Sequence, residues 1–257
     1  MTAMRDSTWP EVADRSGAGS VLLVPLGSTE QHGPHLPLTT DTDIAVAITE
    51  EVAACRDRVV VAPAVAYGSS GEHDGFPGTL SIGRQATELL LVELGRSASA
   101  HFGRVVVVSA HGGNAAPLAR AVERLTSEGR AVEAWWPRWD GDLHAGRTET
   151  SIMLAIAPGR VALDRAEAGD TRPLATLLPV LEGQGVRSVS PNGVLGDPAG
   201  ADAAEGRRLL DLAVRDLVAR VDQGDVDRVG RVGRVGRLDG VERGDGVGSV
   251  PARGAST

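Results

Sequence analysis

Several residue types that build particular kinds of protein are scarce or absent in this sequence. The 257 residues include one cysteine, Cys55, which excludes an intramolecular disulfide and any zinc or iron–sulfur site built on several thiolates. No apolar run approaches the length of about 18 residues that a transmembrane helix needs. Residues 1–14 carry charges and lack the apolar stretch of a secretory signal. The sequence therefore predicts a cytoplasmic protein without a membrane span.

Basic residues are fewer than acidic ones. The sequence has 26 basic and 34 acidic residues, which gives a net charge of −8. Lysine is absent, so every basic residue is an arginine. A nucleic-acid-binding protein would show a basic surplus or stripe, and nucleic acid is therefore not an expected partner. The hydrophobic fraction of 42% supports a sizeable core that needs no disulfide or structural metal for its stability.

Short apolar runs alternate with segments of helical periodicity along most of the chain. Strands are predicted at residues 20–26, 58–62, 105–108 and 131–136. Helices are predicted at residues 41–55, 84–102, 115–128, 148–156 and within 198–221. Strands that alternate with helices indicate an α/β protein with a mainly parallel sheet, whose functional residues lie in the loops at the strand ends.

The C-terminal part of the chain differs in composition from the rest. Residues 222–257 are rich in glycine and contain an Arg-Val-Gly triplet that begins at Arg228, Arg231 and Arg234. Few apolar side chains are available in this segment to offset the entropy lost on ordering. The sequence therefore predicts a single catalytic domain at residues 1–221, followed by a disordered tail at residues 222–257.

Five of the six histidines lie in predicted loops, and acidic residues accompany most of them. These loop histidines are His32, His35, His73, His111 and His144. Imidazole and carboxylate without thiolate form the ligand set of catalytic Zn²⁺, Mn²⁺ or Fe²⁺. Each segment alone has an ordinary explanation as a turn or a surface loop, and His35 is better explained as a residue that orients its loop. Together, the segments predict a metal site.

The order and spacing of these segments resemble the creatininase family of metal-dependent amidohydrolases over roughly residues 21–217. The most specific segment, residues 27–37, reads Gly-Ser-Thr-Glu-Gln-His-Gly-Pro-His-Leu-Pro and is followed by Asp41. Further matching segments are residues 68–73, 76–79, 111–114, 144–146, 149–151 and 193–198. The resemblance implies a creatininase-like three-layer α/β/α fold, hydrolysis of C–N bonds in amides, and a homo-oligomer.

The resemblance also implies a site for divalent metal ions, two in each subunit, with zinc, iron and manganese as the candidate metals. Glu30, Asp41 and His111 would hold one ion. His32 and Asp41 would hold the other, so that Asp41 would bridge the two ions.

One position departs from the family pattern. Creatininase has a metal-binding glutamate two residues after its last histidine ligand, where this sequence has Gly113. Creatinine is therefore not the expected substrate. Glu149 is the best remaining carboxylate for the second ion, with an ordinary glutamate at a helix N-terminus as its alternative interpretation.

Among the branches of the family, the sequence is most similar to one that acts on a radical-modified precursor peptide. That similarity implies hydrolysis of the peptide and release of its altered C-terminal Val-Tyr remnant. A small-molecule substrate, such as a cyclic amide or a formamide, is the alternative. A scaffold without catalytic activity is a third hypothesis, against which the presence of nearly all expected site residues argues.

Water is the expected nucleophile, because no Ser-His-Asp order and no Gly-x-Ser-x-Gly elbow is present. A metal lowers the pKa of water from about 15.7 towards ~7. His144 is the candidate for proton transfer to the leaving nitrogen, since the pKa of imidazole lies near working pH. A supporting role beside the ligands is its alternative. Glu149 and Glu72, the latter in the long loop at 63–82, complete the catalytic candidates.

Three of the four tryptophans, Trp135, Trp136 and Trp139, precede His144. They could cover the site or contact an aromatic group of the substrate. They could equally belong to the core or to a contact between subunits.

Overall fold

A parallel β-sheet forms the centre of the chain. Its strands are β1 (Gly17–Leu26), β2 (Val59–Val61), β3 (Phe102–Ser109) and β4 (Val132–Trp135). They are arranged in the order β2-β1-β3-β4, and every pair of neighbours is parallel. The computed structural model describes residues 3–235. The predicted α/β class with a parallel sheet is confirmed.

Helices connect and flank these strands. They are α1 (Trp9–Ala13), α2 (Thr40–Cys55), α3 (Gly83–Ala98), α4 (Ala115–Ser127), α5 (Arg147–Ile156), α6 (Leu174–Gln184) and α7 (Ala203–Val235). Helices α1 and α6 were not predicted from the sequence. Helix α1 is too short to show a periodicity, and α6 contains Pro179, which normally marks a break. Within residues 3–235, no helix is both long and apolar enough to cross a membrane.

The sheet is buried on both faces, as the valine-rich strands predict. Leu22, Val105 and Val107 pack in one cluster with Leu91 of α3 and Leu118 of α4. The alternate strand residues, such as Leu23 and Val106, are fully buried on the opposite side. Burial of each such side chain stabilises the fold by about 1.5–3 kcal/mol. The strand ends are thereby held in place, and with them the loops that carry the polar residues.

The chain divides into two compact units, Met1–Ala219 and Arg220–Thr257. All four strands lie in the first unit. Helix α7 continues to Val235, past residue 221, where the sequence predicted the start of a disordered tail. Glycine lowers the helix propensity of residues 222–235, but adding residues to a helix that has already formed is much easier than starting one. Residues 236–257 lie outside the described residues, and the domain boundary at 221 stays a prediction.

The carboxyl ends of the parallel strands bring their loops to the same edge of the sheet. Asn114 connects three of these loops. Its Oδ1 accepts a hydrogen bond from Ser69 N at 2.9 Å, and its Nδ2 donates to Gly27 O at 2.9 Å. This side chain holds the loops after β1, β2 and β3 in register, so the polar residues that they carry converge.

The three clustered tryptophans contact residues of their own chain. Trp135 is 6% exposed, and its indole N–H donates to Asp216 Oδ2 at 2.7 Å. Trp136 packs against the main core cluster, and Trp139 donates to Leu209 O at 3.3 Å. Packing within the chain is therefore the interpretation that the geometry favours. These residues give no argument for a subunit contact.

Candidate metal centre

Two buried carboxylates, Glu30 and Asp41, lie where the loops converge. Glu30 is in the loop after β1, and Asp41 is in the first turn of α2. Asp41 Oδ2 accepts a hydrogen bond from Ser28 Oγ at 2.6 Å. Glu30 is 0% exposed, and neither of its oxygens accepts a hydrogen bond from any described residue. A buried carboxylate in this state is costly unless a cation compensates its charge.

Three overlapping groups of histidine and carboxylate surround this pair. They are Glu30 with Asp41 and His111, His32 with His144 and Glu149, and Glu30 with His73 and His144. Within each group the potential ligand atoms lie within 4.8 Å of one another. The first group is the set predicted for one ion. The second contains His32 and Glu149, both predicted for the other ion, together with His144.

Asp41 faces two of these groups at once. Its Oδ1 lies 3.3 Å from His32 Nε2, and its Oδ2 lies 3.3 Å from His111 Nδ1. The two oxygens therefore point towards different histidines, which is the geometry that a bridging carboxylate requires.

Three of the histidines each donate a ring N–H to a backbone carbonyl. His32 Nδ1 donates to Glu30 O at 3.1 Å, His111 Nε2 to Ser69 O at 2.9 Å, and His144 Nε2 to Gln31 O at 2.9 Å. The opposite nitrogen of each ring faces the carboxylates. Metal-binding histidines typically have this arrangement, in which a hydrogen bond on one nitrogen fixes the ring for ligation through the other.

The charges of the cluster shift the pKa values of its members. Burial would lower the pKa of His32, but Asp41 raises it to about 10. The pKa of His111 likewise lies well above its ordinary value, because Glu30 and Asp41 outweigh burial. Burial would raise the pKa of Asp41, yet the adjacent histidines hold it well below its usual range. Without a cation the cluster therefore retains protons, which a divalent ion would displace on binding.

Glu149 and Glu72 lie at the more accessible side of the cluster. Glu149 Oε2 accepts a hydrogen bond from Ala145 N at 2.6 Å and lies 3.9 Å from His32 Nε2. Burial raises the pKa of Glu149 to about 7 and also raises the pKa of Glu72. Glu72 Oε1 lies 3.5 Å from His111 Nε2. Both carboxyl groups are therefore near the histidines, but they hold protons more readily than Glu30 or Asp41.

Position 113 has no room for a side chain. A Cβ atom built on Gly113 would clash with Glu72 Oε1, the Ser69 carbonyl oxygen and His111 Nε2. The neighbouring Gly112 has no atom within 4 Å of its own Cβ position. The space into which a glutamate at 113 would extend is therefore occupied, in part by the carboxylate of Glu72.

Gly113→Ala is expected to destabilise the protein and to lower its metal content, because the new methyl group would displace Glu72 or His111. Overpacking of this kind costs about 1–3 kcal/mol, and each kcal/mol lowers Tm by roughly 2–4 °C in a domain of this size. Gly112→Ala is the matched control and should behave as the wild type does. Calorimetry and metal analysis of both variants check the prediction, and equal behaviour of the two would contradict it.

A cavity of about 740 Å³ opens beside the cluster. It is lined by His73, His111, His144 and Glu72 and also by Leu181 of α6. Substrate pockets typically measure roughly 300–1,000 Å³, so the cavity has the size of a substrate pocket. The histidines and carboxylates therefore face a space in which a substrate can bind.

The structure brings together every residue that the sequence proposed for the site. They are Glu30, His32, Asp41, Glu72, His111, His144 and Glu149. His35 lies apart from the three groups among the described residues, and its Nε2 is 2.9 Å from Thr150 Oγ1. Sequence reasoning missed the contributions of Ser28, Gln31 and Asn114. The first two lie within the segment at 27–37, but a neutral side chain carries no signal of its hydrogen-bonding partner.

The parallel α/β sheet and the histidine–carboxylate cluster at its carboxyl edge define a metallohydrolase. Residues 5–221 match the family model described as creatinine amidohydrolase. The chain therefore belongs to the creatininase family, as the sequence motifs predict, and it is a hydrolase that acts on amide bonds.

Two relatives illustrate the range of this similarity. The mycofactocin precursor peptide peptidase of Mycolicibacterium smegmatis is 53% identical over 217 residues, which cover 82% of this chain and 87% of the relative. The creatinine amidohydrolase of Pseudomonas putida is 28% identical over 243 residues, which cover 81% of this chain and 91% of the relative.

Solved creatininase structures share the fold. A mutant creatininase complexed with creatine superimposes with a TM-score of 0.75 at 25% identity, covering 86% of this chain and 97% of the other. A creatininase described as the Mn form superimposes with a TM-score of 0.72 at 25% identity and the same coverage of 86% and 97%. Together with the orphaned Glu30 carboxylate, these similarities indicate a divalent metal as the cofactor.

Proposed function

We propose that this chain is a peptidase that hydrolyses the modified mycofactocin precursor peptide and releases its C-terminal remnant derived from Val and Tyr. The observation that carries the proposal is a buried histidine–carboxylate cluster of which His73, His111 and His144 line a cavity of about 740 Å³. The 53% identity to a mycofactocin precursor peptide peptidase supports the choice of substrate. The closed position at Gly113 argues against creatinine, because the family's glutamate has no space there.

Two divalent ions fit the donor set. Glu30, Asp41 and His111 would hold one, and His32, Asp41 and Glu149 would hold the other, with zinc, iron and manganese as the candidate metals. Such ions, when bound, polarise the scissile carbonyl and lower the pKa of water. The fit rests on the buried Glu30 carboxylate without a hydrogen bond and on the two-sided contacts of Asp41.

His144 is the residue that transfers a proton from the attacking water to the leaving nitrogen. Its Nε2–H is held by Gln31 O, so Nδ1 carries the lone pair and lies 3.8 Å from Glu30 Oε1. Burial keeps the pKa of His144 well below its ordinary value, so the ring begins the reaction neutral. Nδ1 can then accept a proton from the attacking water and pass it to the leaving nitrogen.

Glu149 and Glu72 make further contacts in the site. Glu149 holds the Ala145 amide, and its hydrogen bond fixes the turn that carries His144. Glu72 is 29% exposed and lines the cavity, where it would accept a hydrogen bond from an N–H of the peptide. Glu149 therefore positions His144 and Glu72 would position the peptide, and such mutual orientation contributes substantially to catalysis.

A direct assay tests the proposal. The metal-loaded protein is incubated separately with the modified precursor peptide and with creatinine, and the products are identified by mass spectrometry. Cleavage on the C-terminal side of the glycine that precedes the Val-Tyr remnant, with creatinine unchanged, is the expected result. Hydrolysis of creatinine with the peptide intact would favour the alternative, a small cyclic amide or formamide substrate, which the similarity to the Pseudomonas putida enzyme supports.

We also propose that residues 1–221 are sufficient for catalysis, because the family match ends at residue 221 and all candidate site residues precede it. A chain that ends after Val221 is expected to keep its turnover and its Tm. Steady-state kinetics and calorimetry against the full chain check this, and a large loss of either would contradict it. A homo-oligomeric state and a cytoplasmic location stay predictions from the sequence.

A further inference from the structure

Gln31 lies between His73 and His144, and two backbone groups fix the orientation of its side-chain amide. Its Oε1 accepts a hydrogen bond from Gly33 N at 2.8 Å, and its Nε2 donates to Gly193 O at 2.9 Å. Gln31 is 5% exposed, so its side chain is held in the interior. The amide oxygen and nitrogen are therefore distinguished by their partners.

One N–H of this amide is left, and two ring nitrogens lie within its reach. His73 Nδ1 is 2.8 Å away, and His144 Nε2 is 3.0 Å away. His144 Nε2 already donates its proton to the backbone carbonyl of Gln31 at 2.9 Å, so it has no lone pair to offer. The remaining N–H therefore donates to His73 Nδ1.

The two histidine rings consequently face Glu30 with different nitrogen atoms, of which one is protonated and the other is not. His73 accepts at Nδ1, so its proton is on Nε2, which lies 3.3 Å from Glu30 Oε1. His144 has its proton on Nε2, so its lone pair on Nδ1 lies 3.8 Å from the same oxygen. The ring centroids are 4.4 Å apart, which leaves both rings little freedom to turn.

We propose that Gln31 is a positioning residue that holds His73 and His144 both in the Nε2–H tautomer but in opposite orientations, so that the N–H of His73 and the Nδ1 lone pair of His144 face Glu30. The N–H of His73 then faces Glu30 Oε1 at 3.3 Å and offsets part of the charge of this buried carboxylate. This inference rests on the proposed metal centre. It also means that the group of Glu30, His73 and His144 is not a third cation site, because His73 presents a proton there.

Nuclear magnetic resonance of the ring nitrogens tests the proposal. The full chain is labelled with ¹⁵N-histidine and loaded with Zn²⁺, and each ring is assigned from single His→Gln variants. The expected spectrum has His73 protonated at Nε2 and unprotonated at Nδ1, and His144 protonated at Nε2. Protonation of His73 at Nδ1 in the wild type would overturn the proposal, whatever the variants do.

Two substitutions at the same position separate the hydrogen bond from the shape of the side chain. Gln31→Glu keeps the shape but can only accept, so the proton of His73 is expected to move to Nδ1. Gln31→Met removes the amide, so His73 is expected to populate both tautomers. Both variants should lose roughly 10–100-fold in Zn²⁺ affinity, as is usual for groups that orient metal ligands. Gln85→Glu, at an exposed position of α3, is the matched control and should match the wild type.

A wild-type tautomer of His73 and wild-type Zn²⁺ affinity in Gln31→Glu would overturn the role of Gln31. If Gln31→Glu does not fold, the wild-type spectrum still decides the tautomers. The spectra and the Zn²⁺ affinity are measured without substrate. A failed peptide-cleavage assay would therefore count against the proposed function and leave this test intact.

Discussion

Asp41→Ala is expected to lose both metal ions and with them nearly all amide hydrolysis. The two oxygens of Asp41 lie 3.3 Å from His32 Nε2 and 3.3 Å from His111 Nδ1, so one side chain serves both halves of the centre. Its removal also leaves these two histidines without the carboxylate that balances their charge. Loss of metal-assisted chemistry amounts to several kcal/mol of barrier, or a decrease of about 10³-fold or more in turnover.

Metal analysis of the purified variant, combined with turnover, measures this effect. Asp43→Ala is the matched control, because Asp43 lies on the same helix but pairs with Arg160 at the surface. The control should retain full metal content. Near-full occupancy of two ions in Asp41→Ala would contradict the bridging role.

His144→Ala is expected to keep most of its metal and to lose turnover. In the proposed site Glu30, Asp41, His32 and His111 would remain to hold the ions, whereas Nδ1 of His144 would be the atom that moves the proton. General acid–base assistance is typically worth 10²–10⁴-fold in rate, or about 3–5 kcal/mol of barrier. KM should change little, because the proton is transferred in the transition state.

Metal content, kcat and KM of this variant separate the possible roles. A loss of metal in proportion to rate would make His144 a ligand. A milder loss, on the order of tenfold to a hundredfold, would make it a residue that only orients its neighbours. Normal kcat with normal metal would remove His144 from the mechanism. His101→Ala, at an exposed position, is the control.

Much of this architecture follows from local sequence. The consecutive valines of β3 and the apolar run of β1 indicate strands buried on both faces, and parallel pairing follows from the helices between them. The convergence of Glu30, Asp41 and His111 then follows, because the ends of parallel strands share one edge of the sheet. Residue types and their place after strands are properties that a sequence displays directly.

Other features depend on contacts between distant segments. The clash at Gly113 involves Glu72 and Ser69, which belong to a different loop. The tautomers of His73 and His144 depend on the Gly193 carbonyl that orients Gln31, and Gly193 lies 162 residues away along the chain. Helix α6 forms in spite of Pro179, a residue that argues against a helix when only local propensity is considered. These outcomes are set by the tertiary fold, so the sequence pattern does not contain them.

The depth of the cluster has a kinetic consequence. Glu30, His32 and Asp41 are 0%, 0% and 1% exposed, so an ion among them is shielded from bulk water on all sides except that of the cavity. Exchange of a bound ion with ions in the medium requires several ligands to dissociate from it before water can enter. A purified sample is therefore expected to retain the ion that was abundant when the chain folded in the cell. Comparison of its zinc, iron and manganese forms calls for growth in media of controlled metal content, because dialysis will equilibrate such a site only slowly.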